Sequence, residues 1–454
     1  MLGTLTNELD KLSPRFDLQP AQIQILQSPS DFYETLKIST IRDALQKNPD
    51  LKVSFLTDAL RGTRESPLPS CASLLAPLVA DFGPERVEVR MFHTPNLTGL
   101  RKKIVPKRIN EGWGLQHMKL YGIDDEIIIS GANLSDDYFT NRQDRYHVFS
   151  SKEITDYFSR IHEAVSSISF KVSPNPGDPA GYLMEWPSSN VGPSPLSDPK
   201  AFVLSATSLL TPMIKPSSSS AAPKEKASST SVYPLLQLTP LLKPDTSTEL
   251  PALTAVLRSL ATPAFAHARW TFTAGYFNMT PEVRALLLAT QPARATVVAA
   301  SPWANGFYGS KGISGLLPAA YTLLSRRFLE AVARAGLSDQ IALKEWRRGT
   351  VNEPGGWTYH AKGLWVTLPG EEAPSVALVG SSNYTKRSYS LDLEANLLIV
   401  TRDQGLMGKL GAEEKWLQEY ATVMTRDDYA RSERRVGLQV RIAMWLVTIL
   451  GGAL

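Results

Sequence analysis

Cysteine is almost absent from this sequence, which has a single one, Cys71, in 454 residues. One thiol excludes a disulfide framework and is compatible with a reducing compartment. Charge of one sign is also scarce, because 48 basic residues against 44 acidic ones leave a formal net charge of +4. This balance argues against a polybasic nucleic-acid binder, so an anionic partner must be recognised by a local cluster of cations.

Long hydrophobic runs are missing as well, since no stretch reaches the roughly 18 to 20 apolar residues of a membrane-spanning helix. The N-terminus mixes acidic and basic side chains without an apolar run, which predicts neither a secretory signal nor a transit peptide. The nearest approach is residues 442–454, which are uncharged and follow Arg431, Arg434, Arg435 and Arg441. This order predicts a helix at an anionic membrane surface, and a terminal helix docked on the core is the alternative.

Proline marks the clearest boundary along the chain. Fourteen of the 32 prolines fall between Pro174 and Pro251, and a Ser/Pro-rich stretch within 212–231 predicts a flexible insertion. Strand and helix patterns interleave on both sides, which predicts an α/β fold of two domains. The predicted units are a first domain at 23–170, a linker with a partly ordered flank at 171–250, a second domain at 251–430 and a membrane-surface segment at 431–454.

A short pattern occurs twice. A histidine is followed by a lysine two positions on, then by Gly-x-Asn or Gly-x-x-Asn, and then by an acid eleven residues after the asparagine. The His-to-Asn spacing is longer in the second copy, where a Pro- and Gly-containing loop predicts a longer hairpin. The two copies are His117, Lys119, Asn133 and Asp144, and His360, Lys362, Asn383 and Glu394.

These residue types suit chemistry on a phosphodiester. On a strand, a histidine and a lysine two positions apart share a face, which places a nucleophile or proton carrier beside a fixed cation. Two such sets facing each other allow one histidine to attack phosphorus while the other protonates the leaving oxygen, with lysines and amides stabilising the charge. A lone buried histidine is usually structural, but the shared flanking residues favour catalysis. We expect Asp144 to orient His117 and Glu394 to orient His360, and we expect no metal site.

The first copy also carries Asp124, five residues after Lys119, where turn chemistry at a hairpin tip is the alternative role. His117-x-Lys119-x4-Asp124 resembles the H-x-K-x4-D signature of the phospholipase D superfamily, and the duplication resembles its two-domain members. Within that superfamily the chain is similar to the eukaryotic, mitochondrial phosphatidylglycerophosphate synthases. The matching strings are LRGTR at 60–64, GANLSDDYFTNRQDRY at 131–146, ANGFYGSKG at 304–312, YHAKGLW at 359–365 and GSSNYTKRSYSLDLEANL at 380–397.

The resemblance implies two phospholipase D-like α/β/α sandwich domains related by a pseudo-two-fold axis, with the active site at their interface. It implies transfer of a phosphatidyl group from CDP-diacylglycerol to glycerol 3-phosphate through a phosphohistidine on His117, without a cofactor or a metal. The implied partners are these two substrates and an anionic membrane surface, not nucleic acid. The implied location is the matrix side of the mitochondrial inner membrane, with peripheral attachment.

A second anionic substrate needs a second phosphate site. Arg61 or Arg64 could supply a bidentate clamp, and Asn305 and Lys311 lie in a Gly-rich run that could instead be a connecting turn. The amides of Asn133 and Asn383 are expected to bind the transferred phosphate.

Two departures from the superfamily pattern stand out. Thr367 occupies the position that corresponds to Asp124, and Phe32–Lys37 runs directly into Ile41–Gln46 without a hydrophobic strand before the first helix. Part of the first domain is therefore expected to be missing. The alternatives are a phospholipase D-type phosphodiesterase on nucleic acid or lipid and an inactive membrane-associated scaffold. The near-zero net charge argues against nucleic acid, and the two intact H-x-K sets argue against a scaffold.

Overall fold

A computed structural model describes residues 1–36, 41–65, 69–106, 109–216 and 229–449. The α-helices in this part of the chain are α1 Leu2–Leu9, α2 Pro29–Leu36, α3 Ile41–Lys47, α4 Ala59–Gly62, α5 Cys71–Phe82, α6 Gly99–Ile104, α7 Asp136–Thr140, α8 Lys152–Ser166, α9 Pro199–Ile214, α10 Glu249–Leu260, α11 Pro281–Ala289, α12 Leu317–Arg334, α13 Lys386–Ser390, α14 Gln404–Trp416 and α15 Leu438–Ile449. The strands are β1 Phe16–Leu18, β2 Ile23–Leu26, β3 Val53–Asp58, β4 Val87–Phe92, β5 Leu120–Ile123, β6 Glu126–Ser130, β7 Arg142–Gln143, β8 Tyr146–Ser150, β9 Phe170–Pro174, β10 Tyr182–Glu185, β11 Thr230–Gln237, β12 Arg269–Ala274, β13 Arg294–Ala300, β14 Ile341–Trp346, β15 Thr358–Tyr359, β16 Lys362–Thr367, β17 Val376–Gly380, β18 Glu394–Thr401 and β19 Ala421–Val423.

The second half of the chain forms one nine-stranded mixed sheet in the order β1-β11-β18-β17-β16-β12-β13-β14-β19. Strand β12 joins its two parts, because it pairs antiparallel with β16 on one side and parallel with β13 on the other. Trp270 and Phe272 of β12 are buried in the same apolar cluster as Leu253 of α10 and Leu287 of α11. This face of the second half therefore has one continuous core.

The first half repeats this topology with a gap. Its two four-stranded sheets have the orders β2-β8-β6-β5 and β10-β9-β4-β3, and β2-β8-β6-β5 repeats the order of β11-β18-β17-β16. Among the described residues no strand lies between β5 and β3, where β12 lies in the second half. The apolar side chains follow the same division, since Leu45 and Val79 belong to one cluster and Phe32 and Tyr146 to another.

A strand does precede α2, because β2 pairs antiparallel with β8. Three of its four residues are apolar, but so short a run is a weak strand signal. This is not the strand that the sequence lacks between Phe32–Lys37 and Ile41–Gln46. The counterpart of β12 would fall between α2 and α3, where only residues 37–40 intervene, and these lie outside the described residues. Within its described residues the first half thus has the outer strand β2, and it has no strand paired with the facing edges of β5 and β3.

The expected linker at 171–250 is wrong for most of its length. It contains β10, α9 and β11, and β11 is buried throughout between β1 and β18. Of the predicted flexible insertion at 212–231, residues 217–228 lie outside the described residues. The N-terminal α1 packs Leu5 and Leu9 into the second-half cluster, so chain ahead of residue 23 also belongs to the second half.

A buried ion pair fastens the two halves together. Arg145 Nε and Nη2 donate to Glu413 of α14 at 2.9 and 2.8 Å, and Nη1 donates to the carbonyl oxygens of Lys362 and Leu378. Burial by itself would raise the pKa of Glu413, but Arg145 and then His147 hold it well below its usual range. A buried pair of this kind fixes one arrangement, because moving either partner leaves an uncompensated charge.

The gap in the first half has a measurable consequence. Among the residues that the structure describes, amide groups of β3 and β5 on the side facing the gap have no second strand partner, whereas β12 provides one to β13 and β16. We expect peptides that cover β3 and β5 to exchange amide hydrogens faster than peptides that cover β13 and β16, measured by hydrogen-exchange mass spectrometry on the full chain. Strand β17, paired on both sides, is the internal control. Equal protection of β5 and β16 would contradict the open-edge description.

Candidate active site

The site lies where each half of the chain bonds to the other. His117 and His360 stand immediately before β5 and β16, and the backbone N–H of each donates across the halves. His117 N donates to the Leu393 carbonyl oxygen at 2.9 Å, and His360 N donates to that of Gln143 at 2.8 Å. Short parallel pairings of 116 with 393 and of 358–359 with 142–143 fix this register.

With this register, the histidine of each copy lies beside the acid of the other copy. His117 Nδ1 lies 2.8 Å from Glu394 Oε2, and His360 Nδ1 lies 2.7 Å from Asp144 Oδ2. Each acid is bonded to the histidine of the other copy, so the expected pairing within each copy is wrong. The reason is the sheet order: β17 separates β18 from β16, so a carboxylate on β18 is about 10 Å from its own H-x-K strand. The other half's histidine reaches it directly.

Burial sets the protonation of the imidazoles. Burial, followed by Lys119, lowers the pKa of His117 well below its usual value, and burial, followed by Lys362, does the same for His360. Both rings are therefore neutral at pH 7. With Nδ1–H donating to a carboxylate, the assigned tautomer leaves the Nε2 lone pair available for phosphorus.

The lysines of the two motifs share one contact, and Lys362 makes others as well, since its Nζ lies 2.7 Å from His360 Nδ1 and 3.6 Å from Asp144 Oδ2. Lys119 Nζ donates to the His117 carbonyl oxygen at 2.7 Å, and Lys362 Nζ donates to that of His360 at 2.8 Å. Both side chains are buried. The charges of Lys119 and His117 contribute to the lowered pKa of His360, which places the two motifs around one centre. The sequence prediction of a shared anion site is consistent with this convergence.

The glycine of the repeated motif has a steric role. A Cβ at Gly131 would lie 2.7 Å from Asp144 Oδ1 and 2.7 Å from Lys362 Nζ. A side chain there would displace the carboxylate that orients His360. In the second copy, a Cβ at Gly380 would lie 2.1 Å from Asn396 Oδ1.

The two asparagines differ in their surroundings. Asn133 Nδ2 donates to Tyr138 Oη at 3.4 Å, and Tyr138 Oη lies 3.3 Å from the His360 ring nitrogens, so Asn133 reaches the site through this tyrosine. Asn383 Oδ1 is buried and makes no hydrogen bond within the described residues. Their binding of a phosphate remains a proposal.

Asp124 is not part of the site, which corrects its expected catalytic role. It has φ +51° at the exposed tip of the β5–β6 hairpin. At about 3.3 Å per residue, seven positions along an extended chain place it roughly 20 Å from His117. The turn interpretation is the correct one, and the absence of an acid at Thr367 is accordingly of no consequence for the site.

The two predicted arginines share one acid. Arg61 Nη2 lies 2.7 Å from Glu111 Oε2, and Arg64 forms an ion pair with the other oxygen of that carboxylate. Arg61 lies close enough to the site to lower the pKa of both His117 and Lys119, and about half of its side chain is exposed (47%). Arg61 therefore borders the site, with its guanidinium already held in place by Glu111.

The Gly-rich run reaches the site through its backbone. Asn305 is buried, and its Oδ1 accepts from Phe307 N at 2.9 Å, which builds the turn. Lys311 is exposed and precedes a short 3₁₀ helix at Gly312–Leu316. A Cβ at Gly306 would lie 3.0 Å from Arg142 Nη2, so the run packs against the wall of the site. These contacts favour the turn role for Asn305.

Sequence reasoning missed that wall. The rings of Tyr138 and Tyr276 each lie 5.2 Å from the His360 ring in edge-on contact. Arg142 stands 4.4 Å over the Tyr138 ring, and its Nε donates to Thr358 Oγ1 at 3.0 Å. Tyr138 and Arg142 fall between Asn133 and Asp144, inside the string shared with the synthases, and that was the available signal.

A metal ion has one candidate donor set in the described part of the chain, formed by His117, Asp392 and Glu394. These groups are already engaged. His117 bonds to Glu394, and Asp392 accepts from Leu115 N at 2.8 Å and pairs with Arg387 at 2.9 Å. The adjacent Lys119 adds a further cation. The donor set therefore fits hydrogen bonding to the imidazole better than metal coordination.

Fold and site together define a two-domain α/β protein of the phospholipase D type, with paired H-x-K motifs meeting between the halves. The same fold is found in phosphatidylserine synthase of Haemophilus influenzae, with a TM-score of 0.70 and 19% identity over 99% of this chain and 97% of that one. No family model matches the chain.

Curated relatives specify the family. The chain is 44% identical to the CDP-diacylglycerol–glycerol-3-phosphate 3-phosphatidyltransferase of Saccharomyces cerevisiae, over 99% of this chain and 92% of the relative. It is 35% identical to the mitochondrial protein of the same name from Homo sapiens, over 96% of this chain and 84% of that protein. The chain belongs to the family of CDP-diacylglycerol–glycerol-3-phosphate 3-phosphatidyltransferases.

The packing of Gly131 yields a direct test of the site. Gly131→Ala places a methyl group within 2.7 Å of the Asp144–Lys362 pair, which must move. A displacement near 1 Å in a catalytic site can cost about a hundredfold in rate, so we expect a loss of that order in kcat with the fold retained. Gly408→Ala is the control, because nothing lies within 4 Å of a Cβ there. Wild-type kcat in Gly131→Ala would show that Asp144 does not position His360.

Proposed function

We propose that this chain transfers a phosphatidyl group from CDP-diacylglycerol to glycerol 3-phosphate, giving phosphatidylglycerophosphate and CMP. The single observation that carries the chemistry is the pair of neutral, carboxylate-bound imidazoles converging between the halves. The names of the relatives supply the substrates and do not favour the nucleic-acid phosphodiesterase or the inactive scaffold.

In the first step, His117 Nε2 attacks the phosphorus that bears the diacylglycerol group. A P–N bond forms, the P–O bond to CMP breaks, and Glu394 stabilises the positive charge that develops on the imidazole through Nδ1–H. His360 protonates the departing CMP oxygen. Binding of the anionic donor favours the protonated ring, because an opposite charge at close range raises a pKa.

In the second step, His360 takes the proton of the glycerol 3-phosphate 1-hydroxyl group. The oxygen then attacks phosphorus, and the P–N bond to His117 breaks. Asp144 holds His360 in the same tautomer in both steps. Lys119 and Lys362 stabilise the charge on the non-bridging oxygens, as preorganised donors do in other transfer reactions.

The acceptor's own phosphate needs a cation outside this centre. Arg142 is mostly buried and faces both the Tyr138 ring and the Gly306 backbone, whereas Arg61 borders the other side of the site. We assign the glycerol 3-phosphate phosphate group to the space between them. Arg64 shares the Glu111 carboxylate with Arg61, and Lys311 is exposed in the Gly-rich run.

Membrane attachment completes the proposal, since the donor carries two acyl chains. The relatives from mammals are named mitochondrial, and we place this chain at the matrix face of the inner membrane, peripherally bound. In the described residues, no helix combines the length and apolarity needed to cross a bilayer. α15 packs Val440 and Met444 against α12 and leaves Leu438 and Trp445 exposed.

Both interpretations of the C-terminus therefore have support, because α15 docks by one face and presents the other. The predicted cationic stretch needs a correction at Arg434, which is buried in an ion pair with Glu345 at 2.6 Å. Arg435 and Arg441 are exposed and adjoin the apolar face. These two supply the attraction to anionic headgroups.

The covalent step predicts a trappable intermediate. With CDP-diacylglycerol labelled in the diacylglycerol-linked phosphate, and without glycerol 3-phosphate, we expect label on the protein that is acid-labile and base-stable, as for a phosphoramidate. His117→Ala should abolish the label, and His360→Ala should slow its formation. Addition of glycerol 3-phosphate to the wild type should chase the label into lipid. Product formation without any protein-bound label would contradict the double displacement.

The site also predicts the pH dependence of kcat/KM. Burial raises the pKa of Glu394 to about 6, and burial lowers that of Lys362 to about 8. Activity requires the Glu394 carboxylate and the Lys362 ammonium group. It should therefore fall as the pH drops through about 6 and again as the pH rises through about 8. Glu394→Gln should lower the rate and remove the acid limb, and an unchanged acid limb in this variant would exclude Glu394 as its source.

The C-terminal contact is tested by Leu438→Glu/Trp445→Glu. These side chains are 72% and 62% exposed, so the variant should fold normally. We expect about a tenfold loss of binding to anionic vesicles, because two apolar groups are replaced by charges that anionic lipid repels. Activity on detergent-dispersed donor should be retained. Vesicle binding equal to that of the wild type would place the membrane contact elsewhere.

A further inference from the structure

A second basic and apolar surface lies beside the first half of the site. The segment of residues 96–106, here named the rim loop, contains α6. Its sequence has no acidic residue and three basic ones, which are Arg101, Lys102 and Lys103. Within its described part, Leu100 is 71% and Ile104 68% exposed, among the highest values for large apolar side chains in the described chain.

The exposed groups form a face rather than isolated side chains. Leu100 and Ile104 are four positions apart on α6, which places them one above the other on the same side of the helix. Ile109 is also exposed (46%). Arg101 and Lys103 flank this face and are exposed as well. Apolar side chains bordered by cations match the composition of membrane-surface segments.

The rim loop is anchored next to catalytic residues. Leu97 is buried in a small cluster with Leu60 and Leu115, and Val105 packs against it. Leu60 precedes Arg61, and Leu115 stands two residues before His117. Leu115 N donates to Asp392 Oδ1 at 2.8 Å, so its position is fixed by the other half of the chain. The exposed face is therefore held beside the segments that carry Arg61 and His117.

We propose that the rim loop is a second membrane-docking element, which inserts Leu100 and Ile104 into the surface of an anionic bilayer beside the entrance to His117. This inference rests on the proposed function, because a donor with two acyl chains must reach His117 while its chains remain in the lipid. The charge of the loop selects the occupant: three cations without an acid complement anionic headgroups.

The position of α15 supports a two-sided arrangement. α15 packs on α12, the Tyr321 ring of α12 lies 5.8 Å from the Tyr276 ring, and Tyr276 contacts His360. α15 thus adjoins the His360 side of the site, and the rim loop adjoins the His117 side. Two contacts that flank one opening would hold it against the membrane, and each contact adds to the other's binding.

The test uses the full chain with Leu100→Glu/Ile104→Glu. Its matched control is Leu74→Glu/Leu204→Glu, which adds the same charge at two positions that are each 63% exposed on α5 and α9. Binding to vesicles of phosphatidylcholine mixed with phosphatidylglycerol is measured by flotation. Transfer activity is measured with the donor in the same vesicles and, separately, in detergent micelles.

We expect the rim-loop variant to lose about tenfold in vesicle binding and to show a raised apparent KM on vesicles, with micellar kcat unchanged within about twofold. Arg101→Gln/Lys103→Gln should weaken binding about fivefold per residue at low salt and much less at high salt. The control should match the wild type. If the rim-loop variant matched the control in vesicle binding and in KM on vesicles, the proposal would be overturned. A protein partner would then be the alternative occupant of this face. Absence of transfer by the wild type in micelles would refute the proposed function while the flotation result still decides the docking surface.

Discussion

The hydrogen bond from each catalytic imidazole to a carboxylate of the opposite half is the constraint on which the site depends. His117 bonds to Glu394 and His360 bonds to Asp144, so in the proposed mechanism neither half holds a complete set of reacting and orienting groups. The contacts that hold one half against the other therefore also hold the imidazoles and carboxylates in position. The crossed backbone bonds at Leu393 and Gln143 and the buried Arg145–Glu413 pair serve this purpose. Because both copies lie in one chain, the hydrogen bonds between the histidine of one half and the carboxylate of the other are intramolecular.

Burial then determines what the crossed groups can do. Because these groups are buried, the neutral imidazole is favoured, the carboxylates are held against cations, and the pKa of Lys362 is lowered to about 8. The buried lysines of the two motifs are therefore not fully neutralised by the protein, and an anion in the site would balance their charge. A phosphodiester supplies the missing negative charge, and its binding and activation become parts of one electrostatic balance.

The repeat was visible in the sequence because its residues are close together along the chain. Strand alternation predicted that His117 and Lys119 act together, and the constant spacing marked Asp144 and Glu394 as partners. The crossing was not predictable, since it follows from sheet order and from contacts between residues more than 200 positions apart. The catalytic role predicted for Asp124 was wrong because it rested on a superfamily signature. The local turn chemistry already indicated that this residue lies at a hairpin tip.

The side chains around His360, the β2 strand and the gap between β5 and β3 became evident only from the tertiary structure. Tyr138, Arg142 and Tyr276 carry no spacing signal, and their role follows from how α7 and the Gly306 backbone meet His360. The β2 strand has only four residues, too short a run for its apolar pattern to be distinguished from a loop. The gap between β5 and β3 is evident only by comparison with β12, which joins the corresponding strands of the second half.

The central claim is that the two histidines act from opposite sides on one phosphorus, one as nucleophile and the other as acid and base. The most direct measurement is the configuration at phosphorus, determined with CDP-diacylglycerol made chiral at the diacylglycerol-linked phosphate by isotopic oxygen or sulfur. Two in-line displacements each invert the centre, so the account predicts net retention in phosphatidylglycerophosphate. Net inversion would mean direct attack by glycerol 3-phosphate, and it would contradict the phosphohistidine route.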